Sequence, residues 1–334
     1  MIYGETLHSH SCEELPMHRS GSAWYLLLVM LGWAHAANAA QDVPPMPASM
    51  YSAPAPGTTT TQVAYNVSAM YQNLLPSDLE SGGSAASDRF AFNAGLDWRP
   101  DAPFTAGVQL DYEWQGWDFQ RASAFGSYPP WDALERGSVS LPTMFAVSPE
   151  VVAGFAPFTE WAFMREAGSS NGFTYGATFS AFGIFSRRLR LGAGVKVHHQ
   201  FFSTTSTPFL IVDWKINDRV RVTDSQIAGL LGVGGLELRY APAPRWELSV
   251  GGVQRFDRFR LVSLGPGSGD IAEPSGIPLY GRVSYGLGMW VRTDLYAGMV
   301  TESRLRRWDP DGRALVDEDV AAVPMVTVAV ESSW

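Results

Sequence analysis

Apolar and polar residues take turns along most of the chain after Val63. The pattern is most regular over residues 104–114, where Phe104, Ala106, Val108, Leu110, Tyr112 and Trp114 interleave with Thr105, Gly107, Gln109, Asp111 and Glu113. A repeat of two places each class on one side of an extended backbone, so this segment predicts a β-strand with a single apolar face. The same period runs through residues 63–71, 89–98, 189–197, 208–216, 246–256 and 279–289, and more loosely through 173–185, 230–240 and 295–301. The last eleven residues put Val326, Val328, Val330 and Trp334 on one face and end on an aromatic.

The links between these segments alternate in length. Short ones fall at residues 99–103, 148–150, 186–188, 217–219, 241–245 and 291–293, and longer ones at 73–88, 115–137, 165–172, 199–207, 223–228, 258–278 and 304–319. Short turns on one side of a membrane and long loops on the other are the mark of an antiparallel transmembrane β-barrel. The pattern gives about fourteen strands, or about twelve if 219–223 is a turn and a neighbour is lost with it, with both termini on the short-turn, periplasmic side. Aromatics should then gather in belts at the two interfaces. Trp98, Trp214, Tyr240, Trp246 and Trp334, with Phe104, lie beside short links or at the end of the chain, whereas Trp114, with Tyr71, Trp117 and Phe173, lies beside long ones.

Alternation alone equally suits a secreted soluble β-sandwich, whose apolar face packs on a second sheet. The alternating links, the aromatic belts and the terminal Trp favour the barrel. A closed sheet has no edge strands, so Pro142, Pro157 and Pro324 must occupy bulges or strand starts.

The N-terminal region reads as export and tether. An apolar run at residues 24–34 follows His18 and Arg19 and precedes Ala37-Asn38-Ala39, a small-x-small cleavage pattern. It is too short to span a bilayer as a helix. Residues 1–39 therefore read as a signal peptide, with Met17 as the expected initiator, because Glu5, Glu13 and Glu14 do not suit a signal's basic start. The mature chain would begin near Ala40. Residues 40–62, rich in Pro, Ala and Thr, read as an extended, disordered periplasmic tail before a barrel over 63–334.

Composition narrows the partners. Loss of residues 1–39 removes Arg19 and three glutamates from totals of 24 basic and 33 acidic residues, leaving a net charge near −7 and no nucleic-acid footprint. Cys12, the only cysteine, would leave with the signal, so no disulfide or thiolate metal site is expected. Outer-membrane lipid and the barrel assembly machinery are the partners this architecture implies.

The polar faces of the strands carry Arg89, Asn93, Asp97, Gln109, Asp111, Glu113, Arg190, Lys196, Asp213, Lys215, Glu237, Arg239, Glu247, Arg255 and Arg282. In a barrel these line the lumen. With both signs in similar number, they either form a hydrated channel or pair with one another and hold the barrel shut.

The stretch Pro208-Phe-Leu-Ile-Val-Asp213-Trp214-Lys-Ile-Asn-Asp-Arg-Val, followed by Leu238-Arg-Tyr240, Arg245-Trp246-Glu-Leu and Arg255-Phe-Asp-Arg-Phe-Arg260, resembles a bacterial family of barrel proteins catalogued as a domain of unknown function. The resemblance covers roughly residues 88–334 and is most specific at Asp213-Trp214 before a short turn. It implies an outer-membrane barrel of unassigned activity and brings no catalytic residues.

Evidence for chemistry is thin. Ser169-Ser170-Asn171-Gly172 is similar to the Ser-Asn-Gly of outer-membrane phospholipase A, whose family places a His two residues before the nucleophilic Ser. Here that position is Gly168, so a base to activate the hydroxyl is missing and a turn is the better reading. His198 and His199, the only histidines of the mature chain, are strand neighbours that must point to opposite faces, which disfavours a shared metal or catalytic site. Residues 265–269, Gly-Pro-Gly-Ser-Gly, lack the Lys and helix of a phosphate-binding loop. No catalytic, cofactor or metal residue is assigned. Passive transport of small solutes or a structural role in the outer membrane is expected, with a barrel enzyme and a soluble binding sandwich as the alternatives.

Overall fold

The computed structural model describes residues 62–100, 104–126, 130–224, 233–262 and 269–334. The proposed signal and nearly all of the proposed tail lie outside them. Seventeen β-strands follow one another: β1 (Gln62–Asp78), β2 (Ser84–Arg99), β3 (Phe104–Gln120), β4 (Ala133–Ser140), β5 (Thr143–Ser148), β6 (Val151–Met164), β7 (Phe173–Ser186), β8 (Leu189–Gln200), β9 (Ser203–Lys215), β10 (Val220–Asp224), β11 (Val233–Ala243), β12 (Trp246–Phe256), β13 (Phe259–Arg260), β14 (Ile271–Gly286), β15 (Val291–Trp308), β16 (Ala314–Val320) and β17 (Val323–Ser333).

Three pairs of these strands are single staves with a break. β4 and β5 both pair with β3 and β6, β12 and β13 with β14, and β16 and β17 with β15. Fourteen staves result, and β1 pairs with β17 from Asn66↔Ser333 to Leu74↔Met325, closing the sheet. Closure matters because lipid offers no partner for a sheet edge. The segment 219–223, on which the count of twelve or fourteen turned, forms β10.

The prolines sit where a closed ladder tolerates them. Pro142 occupies the break between β4 and β5, and Pro157 lies on β6 opposite that break, accepting a hydrogen bond from Leu141 N at 3.0 Å. Pro324 is the second residue of β17, just past the break at Ala321-Ala322.

Parity decides which side of the wall each residue faces. On β3, Val108, Leu110 and Tyr112 are exposed while Glu113 and Gln115 are buried, and on β9 Leu210 and Trp214 are exposed while Ile211 is buried. A closed sheet with an apolar exterior and a polar interior is the arrangement that lipid outside and water inside require. Aromatics mark the short-turn interface. Trp98, Trp214, Tyr240, Trp246 and Trp334 are all exposed there; Tyr65 stacks on Trp334, and Trp246 lies 4.8 Å from Tyr285.

The links differ from expectation in four places. The turn placed at 291–293 is at residues 287–290, and Val291 already begins β15. Three long links, 73–88, 199–207 and 304–319, are mostly ladder: β1 and β2 pair out to Asp78↔Ser84, and β8 and β9 are joined through Phe201 and Phe202 alone. A tilted strand crosses a bilayer in about 9–11 residues, so the 17 residues of β1 and 18 of β15 project well beyond it. Sequence alone shows where the lipid-facing pattern stops, and a strand that continues into water loses that pattern without losing its hydrogen bonds.

Candidate functional site

The lumen has two unlike halves. Toward the outer end it is bridged, and the bridge begins where β12 ends. Beyond Phe256 the chain, still paired with β14, bends across the lumen, so that Arg260 also pairs with Phe163 of β6. The stave holding β12 stands opposite the stave holding β4, and side chains meet between them. Asp257 accepts from Arg136 Nη1 of β4 at 2.6 Å and from Arg255 Nε at 2.7 Å. Glu113 on β3 accepts from Arg89 Nε and Gln115 Nε2, each at 2.6 Å, and from Arg136 Nη2; Arg255 Nη2 approaches it at 3.6 Å. Glu113, Arg89, Arg255 and Asp257 are all buried, so removing one charge strands the others.

Apolar packing seals the same half. Phe259 is fully buried with Arg136 5.8 Å from its ring centroid, and Leu261 packs in one cluster with Met70, Leu74, Val300 and Met325 from the walls. Arg258 donates to Glu273 and to Ser203 Oγ, each at 2.7 Å, and lies over Phe202. Above these, Trp131 meets Trp117, Phe119 and Phe125 edge-on at 5.3–5.9 Å. Trp117, expected in the outer belt, belongs to this cap: its Nε1 donates to Gln115 Oε1 at 3.1 Å, on the inward parity of β3. Trp114 is outward, as expected.

A second ion-pair network lines the wall from β11 to β17. Arg282 binds Glu237, Glu247 at 2.5 Å and Asp294 at 3.4 Å, and Arg292 binds Asp294 at 3.1 Å and Glu331 at 2.5 Å. Arg239 pairs with Glu237 at 3.1 Å.

The expected lumenal residues distribute between these features and the periplasmic half. Arg89, Glu113 and Arg255 join the bridge, and Glu237, Arg239 and Arg282 the wall network. Asp97 lies 3.8 Å from Arg99, Asp111 accepts from Asn93, Gln109 and Ser138, and Asp213 accepts from Arg221 at 2.6 Å. Arg190 is half-buried in register with Asp213. Lys196 is half-buried over Phe158. Lys215 is half-exposed at the periplasmic mouth and binds Asp218 of the turn rather than a lumenal group.

Sequence reading missed Arg136, Asp257, Arg258 and Asp294. Arg136 falls in a stretch read as loop. Asp257-Arg258 carries a signal in hindsight: two adjacent charges that are both buried break the strand period where the chain turns inward.

The residues considered for chemistry stay apart. His198 points into the lumen, 3.0 Å from Thr174 Oγ1, and His199 points outward, 3.0 Å from Thr204 Oγ1. Residues 169–172 form one 3-10 turn in an outer loop, and 263–268 lie outside the described residues. No group of three or more metal-ligating side chains occurs among the described residues.

The molecule is thus a closed, fourteen-stave transmembrane β-barrel of the kind that bacterial outer membranes hold. No family model and no curated protein matches the chain. Among solved structures it is similar to the COG4313 outer membrane channel from Pseudomonas putida F1, with TM-score 0.47, 8% identity, and coverage of 82% of this chain and 96% of that one. It is also similar to the KdgM porin in complex with oligogalacturonate (0.34, 9%, 80% and 99%) and to the P. putida toluene transporter TodX (0.38, 9%, 83% and 90%). The barrel assignment rests on the closed ladder itself.

Proposed function

We propose that this barrel is a passive channel for small solutes in the bacterial outer membrane, held in a closed state by the outer bridge. The observation that carries the reading is the asymmetry of the lumen. Along β7 to β10 its periplasmic half keeps half-exposed hydroxyls and charges, along β11 to β17 its charges are paired and buried, and its outer half is bridged by one segment and the side chains that dock it. A purely structural barrel would need no hydrated half, and an enzyme would need a nucleophile or acid pair at the rim. Ion pairs and a short crossing segment also make a barrier that can shift without rupture of the wall, because closure of the ring through β1 and β17 does not depend on them. Outer-membrane lipid is the proposed surroundings, and the barrel assembly machinery the proposed route into it.

Planar-bilayer recording tests the reading. Stepwise conductance should appear, with openings more frequent in Asp257→Ala than in the parent protein. If neither protein passes current, although both migrate as compact unheated barrels in gels, the channel reading is wrong.

A further inference from the structure

One ladder row of the lumen wall is unlike the rest. Lys196 on β8 stands in register between Thr178 on β7 and Thr207 on β9, and all three face inward. Lysine is usually held by a carboxylate, yet no described carboxylate lies within ion-pair distance of Lys196, and the buried Glu160 acts on it only from farther away. Its ammonium lies 4.7 Å from the centroid of the Phe158 ring. A ring face attracts the cation without using its N–H donors as acceptors would. Neither threonine hydroxyl hydrogen-bonds to another described residue, so three donors in one row are free to meet a solute. Six other cations of the described lumen differ: Arg89, Arg136, Arg221, Arg255, Arg282 and Arg292 are each tied to a carboxylate.

The surroundings of this row are built around aromatic rings. A Cβ on Gly176 would lie 2.5 Å from Phe158 Cζ, and one on Gly194 would collide with the Phe209 ring, so each ring lies against the wall only because a glycine faces it. Directly toward the periplasm the wall turns apolar. Phe209, Met144 and Ile184 lie partly exposed over buried Val152, Phe182 and Ile211. An apolar patch inside a hydrated lumen, bordered on one side by a cation and two hydroxyls, is complementary to an amphipathic anion.

We infer that Thr178, Lys196 and Thr207 form a binding row for the carboxylate of a small aromatic acid whose ring rests on the Phe209 patch. This rests on the channel reading only for its purpose, since the row faces the lumen whether or not the outer bridge opens. A carboxylate would accept a charge-assisted bond from Lys196 and hydroxyl bonds from the flanking threonines, recovering in the site what it loses in leaving water.

Fluorine NMR titration of the detergent-refolded barrel with 4-fluorobenzoate tests it. The parent protein should bind, Lys196→Met should weaken binding by about tenfold or more, and Lys196→Arg should retain most of it. The neutral 4-fluorobenzyl alcohol should bind the parent at least about tenfold more weakly than the acid. Should Lys196→Met fail to yield a compact barrel, the pair Thr178→Val and Thr207→Val, which keeps the ammonium, should still weaken the acid several-fold. No binding by the parent, equal binding by the variants, or equal binding of the alcohol would overturn the site. A barrel that binds the acid but passes no current overturns the channel reading alone, and one that conducts but ignores the acid overturns this site alone.

Discussion

Two regions of the lumen, the outer bridge and the β9–β10 wall near the periplasm, are built from the same residue types and behave oppositely. In the outer half, Arg136, Arg255 and Asp257 are drawn from opposite walls, and Asp257 and Arg255 are nearly sealed from solvent. In the periplasmic half, Arg221 and Asp213 make an equally short 2.6 Å pair between neighbouring strands, with side chains still 30% and 22% exposed. The difference teaches that pairing alone does not close a barrel. Closure requires that a backbone segment carry one partner across the lumen, after which apolar side chains such as Phe259 exclude the water that would otherwise screen the charges.

The largest expected effect comes from breaking the outer half. Asp257→Ala leaves Arg136 and Arg255 only Glu113 to share, and removing one partner of a buried ion pair costs about 3–5 kcal/mol. That cost should fall on the bridge rather than on the wall. Hydrogen exchange should show loss of protection at residues 259–261 with little change in β1 to β3.

Next in size is the test of which face is lumen. An Arg on the lipid face near mid-bilayer costs about 2–4 kcal/mol, and Val108 is exposed on that face, while Gln109 points inward and donates to Asp111 at 3.3 Å. Val108→Arg should impair folding into lipid vesicles, and Gln109→Arg should be tolerated. The reverse order would turn the barrel inside out.

The smallest effect belongs to the hydrated half. Asp213→Ala removes a solvated pair of a kind worth about 0–1 kcal/mol, so the urea midpoint for unfolding from detergent should barely move. A loss comparable to that of Asp257→Ala would mean that both halves are equally dry.

Much of the wall was legible in the sequence, because lipid outside and water inside impose a period of two on every strand. Val108 and Gln109, the short-turn belt from Trp98 to Trp334, and the even strand count follow from that constraint. The closure was not legible. Asp257-Arg258 contacts β4, β9 and β14, and such contacts depend on which staves stand opposite one another after the sheet closes. The stretch 255–260 was visible as a motif, but its inward course follows from burial of Phe259 and Asp257, which strand periodicity does not encode. The alternation puts Lys196 on a polar strand face; that its ammonium rests on the Phe158 ring required the glycine at 176 and the register of three strands.

The crossing of the lumen is tested most directly by a cross-link between β13 and β6. Arg260 and Phe163 are bridge partners, and paired backbones bring Cα atoms within the roughly 4.4–6.8 Å that a disulfide spans. In a chain with Cys12 replaced by Ser, Phe163→Cys combined with Arg260→Cys should oxidise as readily as the wall pair Ser138→Cys with Glu160→Cys, which neighbours across the ladder. The cross-link should also suppress conductance until reductant is added. If the wall pair oxidises and the crossing pair does not, the segment after β12 does not span the lumen and the closed state described here is wrong.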